Sequence, residues 1–227
     1  MDYHIPVMLK ESINGLNIKP NGIYVDLTFG GGGHSKLILK KLSSNGSLFA
    51  FDVDKDVIKN VEKIKNKSFH FIKSNFRFFR NHLKINGLSK VDGILADLGI
   101  SSHQINSRQR GFSFKGDKKL DMRMNNDLEF SAVDLLNTYK KDQLINMFSK
   151  YGEIRNSIQL ANSILRNRKK KKIKKTIDFI DIIKPFAKKK REEKYYAKVF
   201  QAIRIEINDE INSLKDLLIQ SKITLNK

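Results

Sequence analysis

Cysteine is absent from this 227-residue chain, which excludes disulfides, thiolate metal sites and cysteine nucleophiles. No apolar run approaches the roughly 20 residues of a membrane-spanning helix, and the first residues carry no signal-peptide pattern. A cytoplasmic protein with no membrane partner is expected. His4 reads as a packed or solvated histidine, and nothing near it suggests a metal. Acidic residues are scarce: 24 Asp and Glu stand against 44 Lys and Arg, a formal net charge of +20. Such a surplus favours an anionic partner, most commonly nucleic acid. The chain is also crowded with Lys, Ile and Asn, which A/T-rich codons encode, so base composition is a second source of the charge. The length suits one domain, or one with a sizeable insertion, around a substantial core.

What is present centres on Tyr24-Val25-Asp26-Leu27-Thr28-Phe29-Gly30-Gly31-Gly32-Gly33-His34-Ser35. Ile23 to Leu27 reads as a short apolar strand. Leu37, Ile38 and Leu42 give the following segment helical spacing. Strand, glycine-rich turn and helix form the first half of a βαβ unit, the usual setting of a nucleotide site. Glycine is expected there for positive φ, and because side chains would hold a ligand away from the backbone amides. The dinucleotide fingerprint G-x-G-x-x-G is met only in part, since its last position is Ser35. Asp26 instead precedes the glycines, an order that resembles the loop of S-adenosylmethionine-dependent methyltransferases. Asp52 ends the next apolar run, where a carboxylate can accept both ribose hydroxyls.

Downstream, Asp54 to Lys65 carries a helical face (Val57, Ile58, Val61, Ile64). Phe69-His70-Phe71-Ile72 reads as a third strand, followed by Phe76, whose ring suits either a purine or the core. A helix through Phe78, Phe79, Leu83 and Ile85 leads to a fourth strand, Val91 to Asp97. Strands alternating with helices imply a parallel, doubly wound sheet. Gly32, Asp52, Phe76 and Asp97 then gather at the strands' carboxyl ends, where such sheets bind ligands.

The next stretch is more specific. It holds Asp97-Leu98-Gly99-Ile100-Ser101-Ser102-His103-Gln104, Arg110-Gly111-Phe112-Ser113-Phe114 and Leu120-Asp121-Met122-Arg123-Met124. With the glycine stretch, Tyr151-Gly152-Glu153 and Phe200-Gln201-Ala202-Ile203-Arg204-Ile205, these motifs closely resemble the bacterial RsmH (MraW) family from His4 to about Leu218. The resemblance implies a Rossmann-like class I methyltransferase core over 1–104 and 196–227. It also implies an inserted helical substrate-recognition domain over 105–195. The implied activity is methylation of the N4 amine of a cytidine in 16S ribosomal RNA, with the small ribosomal subunit as partner. S-adenosyl-L-methionine is the implied cofactor, against Gly32, Gly33, His34, Asp52, Phe76, Asp97 and Gln104. Asp97 is the candidate catalytic residue, accepting a hydrogen bond from the amine or holding the cofactor. Two departures stand out. His103 occupies a family proline position, and Ala197-Lys198-Val199 replaces Thr-Arg-Thr, weakening any bidentate phosphate contact there.

Within the insertion, Val133 to Asn137, Gln143 to Phe148, Ile158 to Leu165 and Ile177 to Ile183 have helical spacing. Its basic runs are Arg166 to Lys175 and Lys188 to Arg191, which as a set supply salt-dependent attraction to RNA. Phe200, Ile203, Ile207, Ile211, Leu214 and Leu218 read as one helical core stripe. Family members continue beyond this point with further strands, so a C-terminally shortened chain, an incomplete sheet and an exposed edge on the fourth strand are expected. The lack of cysteine disfavours methylation at cytosine C5 and leaves a nitrogen or oxygen target. The competing readings are a non-catalytic RNA- or ribosome-binding remnant and an NAD-dependent oxidoreductase.

Overall fold

The structure is a computed structural model that describes residues 8–107 and 109–226. The reading of His4 lies outside the described residues. The chain begins with α1 (Leu9–Gly15), β1 (Ile23–Asp26), α2 (Gly33–Lys41), β2 (Ser47–Asp52), α3 (Ile58–Val61), β3 (Phe69–Lys73), α4 (Phe79–Ile85) and β4 (Gly93–Leu95). It continues through α5 (Ser102–Asn106), α6 (Ala132–Thr138), α7 (Lys141–Gly152), α8 (Ser157–Lys170), α9 (Thr176–Ile183), α10 (Glu192–Ile207) and α11 (Glu210–Thr224). Two compact units result: residues 1–99 with 211–227, and residues 100–210.

The first unit is the expected α/β core. Its sheet runs β3-β2-β1-β4, and every pairing is parallel. Tyr24 lies opposite Leu48 and Gly93, and Asp26 opposite Ala50 and Leu95, so the carboxyl ends of the central strands finish level. Both faces of β1 and β2 are buried, which is why these strands read as unbroken apolar runs. One face packs Val25, Leu27, Phe49, Phe51, Phe79 and Leu83 against Leu217 of α11. On the other, Tyr24, Ile38, Leu39 and Leu48 join Ile13 of α1.

Several sequence expectations are corrected here. The helix expected over 54–65 is a single 3-10 turn, Lys55–Val57, followed by one turn of α3. Asp54 caps the turn by accepting from the Asp56 amide at 3.0 Å, and α3 ends at Val61 with Glu62 as its cap. The fourth strand pairs only over Gly93–Leu95, leaving Asp97 in an exposed loop beyond it. The stripe from Phe200 to Leu218 is broken between α10 and α11, where Asp209 adopts φ 48°, and Leu218 is 61% exposed. β4 is an edge strand as expected, but its approach is not bare. Val91 forms a parallel bridge with Leu225, donating to the Thr224 carbonyl and accepting from the Asn226 amide, both at 2.9 Å.

The second unit is helical. Its core unites Leu135 and Leu136 of α6, Leu144 and Phe148 of α7, Leu160 and Ile164 of α8, Phe179 of α9, and Val199, Phe200 and Ile203 of α10. The burial of those α10 side chains is why residues 196–210, drawn with the first unit in the sequence-based division, fall within the second unit, as do 100–104.

Candidate cofactor site

The glycine loop is fixed from below by Asp26, which is wholly buried at the end of β1. Its Oδ2 accepts the Ser35 hydroxyl at 2.6 Å and its Oδ1 the Thr28 amide at 3.1 Å. Burial raises the carboxyl above its ordinary range, opposed by those two hydrogen bonds. Gly30 is held through both its backbone groups: its amide donates to Asp52 Oδ2 at 2.8 Å, and its carbonyl accepts from Asn60 Nδ2 at 3.2 Å. Gly30 and Gly32 have φ of 49° and 75°, the positive values expected of the loop. At position 32 a second constraint joins the positive φ. A Cβ there would meet the Phe29 ring at 2.9 Å, inside the protein. Phe29 packs in turn against two further rings, 5.7 Å from that of Phe69 and 5.5 Å from that of Phe71.

Gly32 caps α2 and offers no side chain to the first-turn amides. Gly33 and His34 open the helix, and His34 is buried with its Nε2 lacking a hydrogen-bond partner among the described residues. The first-turn amides, which no side chain caps, suit a polar or anionic ligand group.

Asp52 stands at the end of β2. Besides binding Gly30, it accepts the Asp54 amide through Oδ1 at 2.9 Å. Each carboxylate oxygen keeps a further lone pair for a ligand. Burial pushes the Asp52 carboxyl up to about 6, against the pull of the Asp54 and Gly30 amides. Phe76 follows β3, opening a 3-10 turn capped by Asn75, and is half-buried against the cluster that includes Phe51 and Phe79. Asp97 follows β4. Its amide donates to Thr28 Oγ1 at 2.8 Å, tying the fourth strand's exit to the glycine loop. The Asp97 carboxylate is exposed and accepts no hydrogen bond from another described residue. Gln104 belongs to the second unit, buried within α5. There its side chain accepts the Ser101 amide at 3.1 Å, and Ser101 Oγ accepts the Gln104 amide at 3.2 Å, a closed capping box.

The motifs of the second unit build its scaffold. Arg123 grips the buried Asp121 with Nε and Nη2, each at 2.7 Å, and Arg110 Nη2 donates to the Arg123 and Met124 carbonyls at 2.9 Å. Met122 is held at φ 60° by Asn208, which donates to its carbonyl at 2.8 Å. Gly152 packs α7 against the α10 backbone, and Glu153 pairs with Lys198 at 2.6 Å.

The glycine loop thus lies between β1 and α2, with acids ending β2 and following β4. The sequence profile of the MraW methylase family matches residues 1–227. The chain belongs to the MraW methylase family. It is 49% identical over 223 residues to the ribosomal RNA small subunit methyltransferase H of Cytophaga hutchinsonii, covering 98% of this chain and 74% of that protein. The proteins of the same name from Phocaeicola vulgatus and Parabacteroides distasonis are each 50% identical, covering 95% of this chain and 70% of their own length. As an MraW methylase the chain is a methyltransferase, and its site must accommodate a methyl donor. Among its described residues no helix is long and apolar enough to cross a membrane. Sequence reasoning singled out Asp52, Phe76 and Asp97 but missed Thr28, Ser35 and Asn60. The first two lie within the glycine stretch; Asn60 carries no local signal, because its partner is thirty residues away.

Proposed function

We propose that this methyltransferase uses S-adenosylmethionine to methylate the N4 amine of a cytidine in small-subunit ribosomal RNA. The observation that carries the reading is the gathering of the glycine loop, Asp52, Phe76 and Asp97 at the carboxyl ends of four parallel strands. It occurs in a chain about half identical to proteins named for ribosomal RNA small subunit methylation. When bound, S-adenosylmethionine supplies an electrophilic methyl carbon on a sulfonium that departs as a neutral thioether. The chain's residues would then hold and orient. Gly32, Gly33 and His34 receive the methionine end, Asp52 accepts the ribose hydroxyls, and Phe76 covers the purine. Asp97, anchored by its amide to Thr28, presents a carboxylate with no hydrogen-bond partner among the described residues. It accepts a hydrogen bond from the exocyclic amine, orienting the lone pair toward the methyl carbon, and takes the amine proton as the N–C bond forms and the C–S bond breaks. A cytidine stacked in a helix must splay out to reach such a group.

The test is incubation of the protein with labelled S-adenosylmethionine and small subunits from a strain lacking the modification, then nucleoside analysis of the digested RNA. Label on N4-methylcytidine is expected. Label on another nucleoside overturns the specificity, and absence of label despite measurable cofactor binding favours a binding role alone.

A further inference from the structure

The second unit contains an open cavity of about 410 Å³ walled by Lys118, Lys119, Lys172, Lys174, Lys175 and Asp117. Three segments supply it, 117–119, 172–175 and, through Ser131 and Val133, 131–133. The first two are stitched together by backbone hydrogen bonds: the Leu120 amide donates to the Lys174 carbonyl at 3.1 Å and the Thr176 amide to the Lys118 carbonyl at 2.9 Å. Lys119 and Lys175 form an antiparallel bridge. Thr176, fully buried, adds Oγ1 bonds with the Lys118 amide at 2.9 Å and the Gly116 carbonyl at 2.7 Å. The lysines thus project from a rigid base.

Their ammonium groups are unequally satisfied. Lys175 pairs with Asp117 at 2.6 Å, and Lys118 donates to the Ile105 carbonyl at 3.1 Å. Lys119 reaches Asp121 at 3.5 Å, but that carboxylate is already gripped by Arg123. Lys172 and Lys174 are exposed, and their ammonium groups form no ion pair or hydrogen bond with another described residue. The five lysines face Asp117 in the wall and Asp121, Asp134 and Asp178 beside it; Asp121 is also held by Arg123 and Asp178 by Lys171, so a surplus of positive charge remains that suits an anion.

We propose that this cavity docks the phosphate backbone of the RNA substrate, a surface that rests on the ribosomal RNA reading above and adds to it the place where the strand is gripped. Among its described lining residues there is no aromatic ring on which a base would stack. Val133 is the one apolar side chain among them, and the remaining apolar wall is the methylene stems of the lysines rather than the apolar centre that a protein partner would bury. What remains reads charge, so the contact positions the RNA without reading its sequence.

The test substitutes the two unpartnered lysines, K172Q/K174Q, and uses K63Q/K65Q, an exposed pair in the first unit, as control. Both variants should keep wild-type thermal stability and S-adenosylmethionine affinity by calorimetry. Binding of a fluorescent single-stranded fragment of small-subunit ribosomal RNA is then followed by anisotropy from 50 to 300 mM KCl, beside an RNA of scrambled sequence. For K172Q/K174Q the slope of log K against log salt should become shallower by about 1.4, from roughly 0.7 per phosphate contact. The loss should be equal on both RNAs, with the control unchanged. An unchanged slope, an equal change in the control pair, or no RNA binding by wild type would each overturn the surface. Loss of binding to assembled subunits with full affinity for the RNA would transfer the cavity to a ribosomal protein and overturn the assignment to RNA. Because the readout is binding, it stands apart from the labelled-nucleoside test: either can fail while the other succeeds.

Discussion

Ser35 donates its hydroxyl to Asp26 across 2.6 Å, with neither side chain reaching solvent. Asp26 closes β1 and Ser35 lies in the first turn of α2, so this one bond spans the glycine loop and sets its width. Ser35→Ala would leave a buried carboxylate short of a donor. The expected cost is about 1–3 kcal/mol in urea unfolding, the range for an unsatisfied buried polar group. Affinity for S-adenosylmethionine should fall with it. A variant as stable as wild type, with unchanged affinity, would mean the loop is held by other contacts.

Asp52 gives the loop a pH dependence. Its native carboxyl is raised to about 6 from an ordinary value of 3.8. Between those limits the native state keeps a proton that the unfolded chain releases, so this group's contribution to stability is full below about 4 and lost as pH rises through about 6. Cofactor binding should run the other way, because the ribose hydroxyls need the ionised form, and affinity should weaken as pH falls through 6. Asp52→Asn should flatten both profiles while lowering affinity at pH 8. Calorimetric titrations at half-unit pH steps would check the crossing.

Two glycines should respond differently to alanine. At Gly32, φ 75° and the nearby Phe29 ring predict a loss of about 1–2 kcal/mol, the left-handed penalty with some yielding of the ring. At Gly111, φ is 67° and a Cβ would fall 2.2 Å from the Lys119 carbonyl oxygen and 2.9 Å from the Asp121 amide. Backbone cannot yield as a ring can. Gly111→Ala should exceed the ~3 kcal/mol that bounds most single substitutions. Comparable melting temperatures for the two variants would contradict this.

Arg123→Lys should be far from conservative. Burial alone would raise the Asp121 carboxyl, but the Arg123 hydrogen bonds and charge hold it below its ordinary value. A lysine cannot reproduce the two-pronged contact. Breaking a buried pair costs about 3–5 kcal/mol when one partner is removed, and lysine should lose part of that. In wild type the pair's contribution is present above the ordinary carboxylate pKa and disappears as acid protonates Asp121. The variant should therefore show a smaller stability loss on acidification, measurable by thermal melts between pH 3 and 7.

The sheet was legible because β1 and β2 are buried on both faces and read as continuous apolar runs. The same cue overreached at β4, where Val91 to Ala96 is nearly all apolar but only Gly93–Leu95 pairs with β1. Helical spacing overreached at Val57, Ile58, Val61 and Ile64. Three of these pack as partners of Phe29 and Ala50 beneath the loop, which a short turn achieves as well as a helix. Asp52, Phe76 and Asp97 were visible because they end or follow strands. Asn60 and the meeting of Lys118 with Lys174 were not, since no local pattern encodes which distant segments touch. The break at Asp209 was hidden as well, because apolar spacing continues through it.

The first unit draws its core from two ends of the chain, Phe79 and Leu83 before the second unit and Leu217 after it. On a ribosome adding about 5–20 residues per second, the intervening stretch of about 110 residues delays α11 by roughly 6–22 s. Arg77 waits longer still for Asp216, to which its Nε donates at 2.9 Å. The second unit comes from one unbroken segment and has no such wait. The order of synthesis therefore leaves the nascent sheet with its Phe79 face uncovered while the helical unit is free to close, a window in which a chaperone would find its apolar surface.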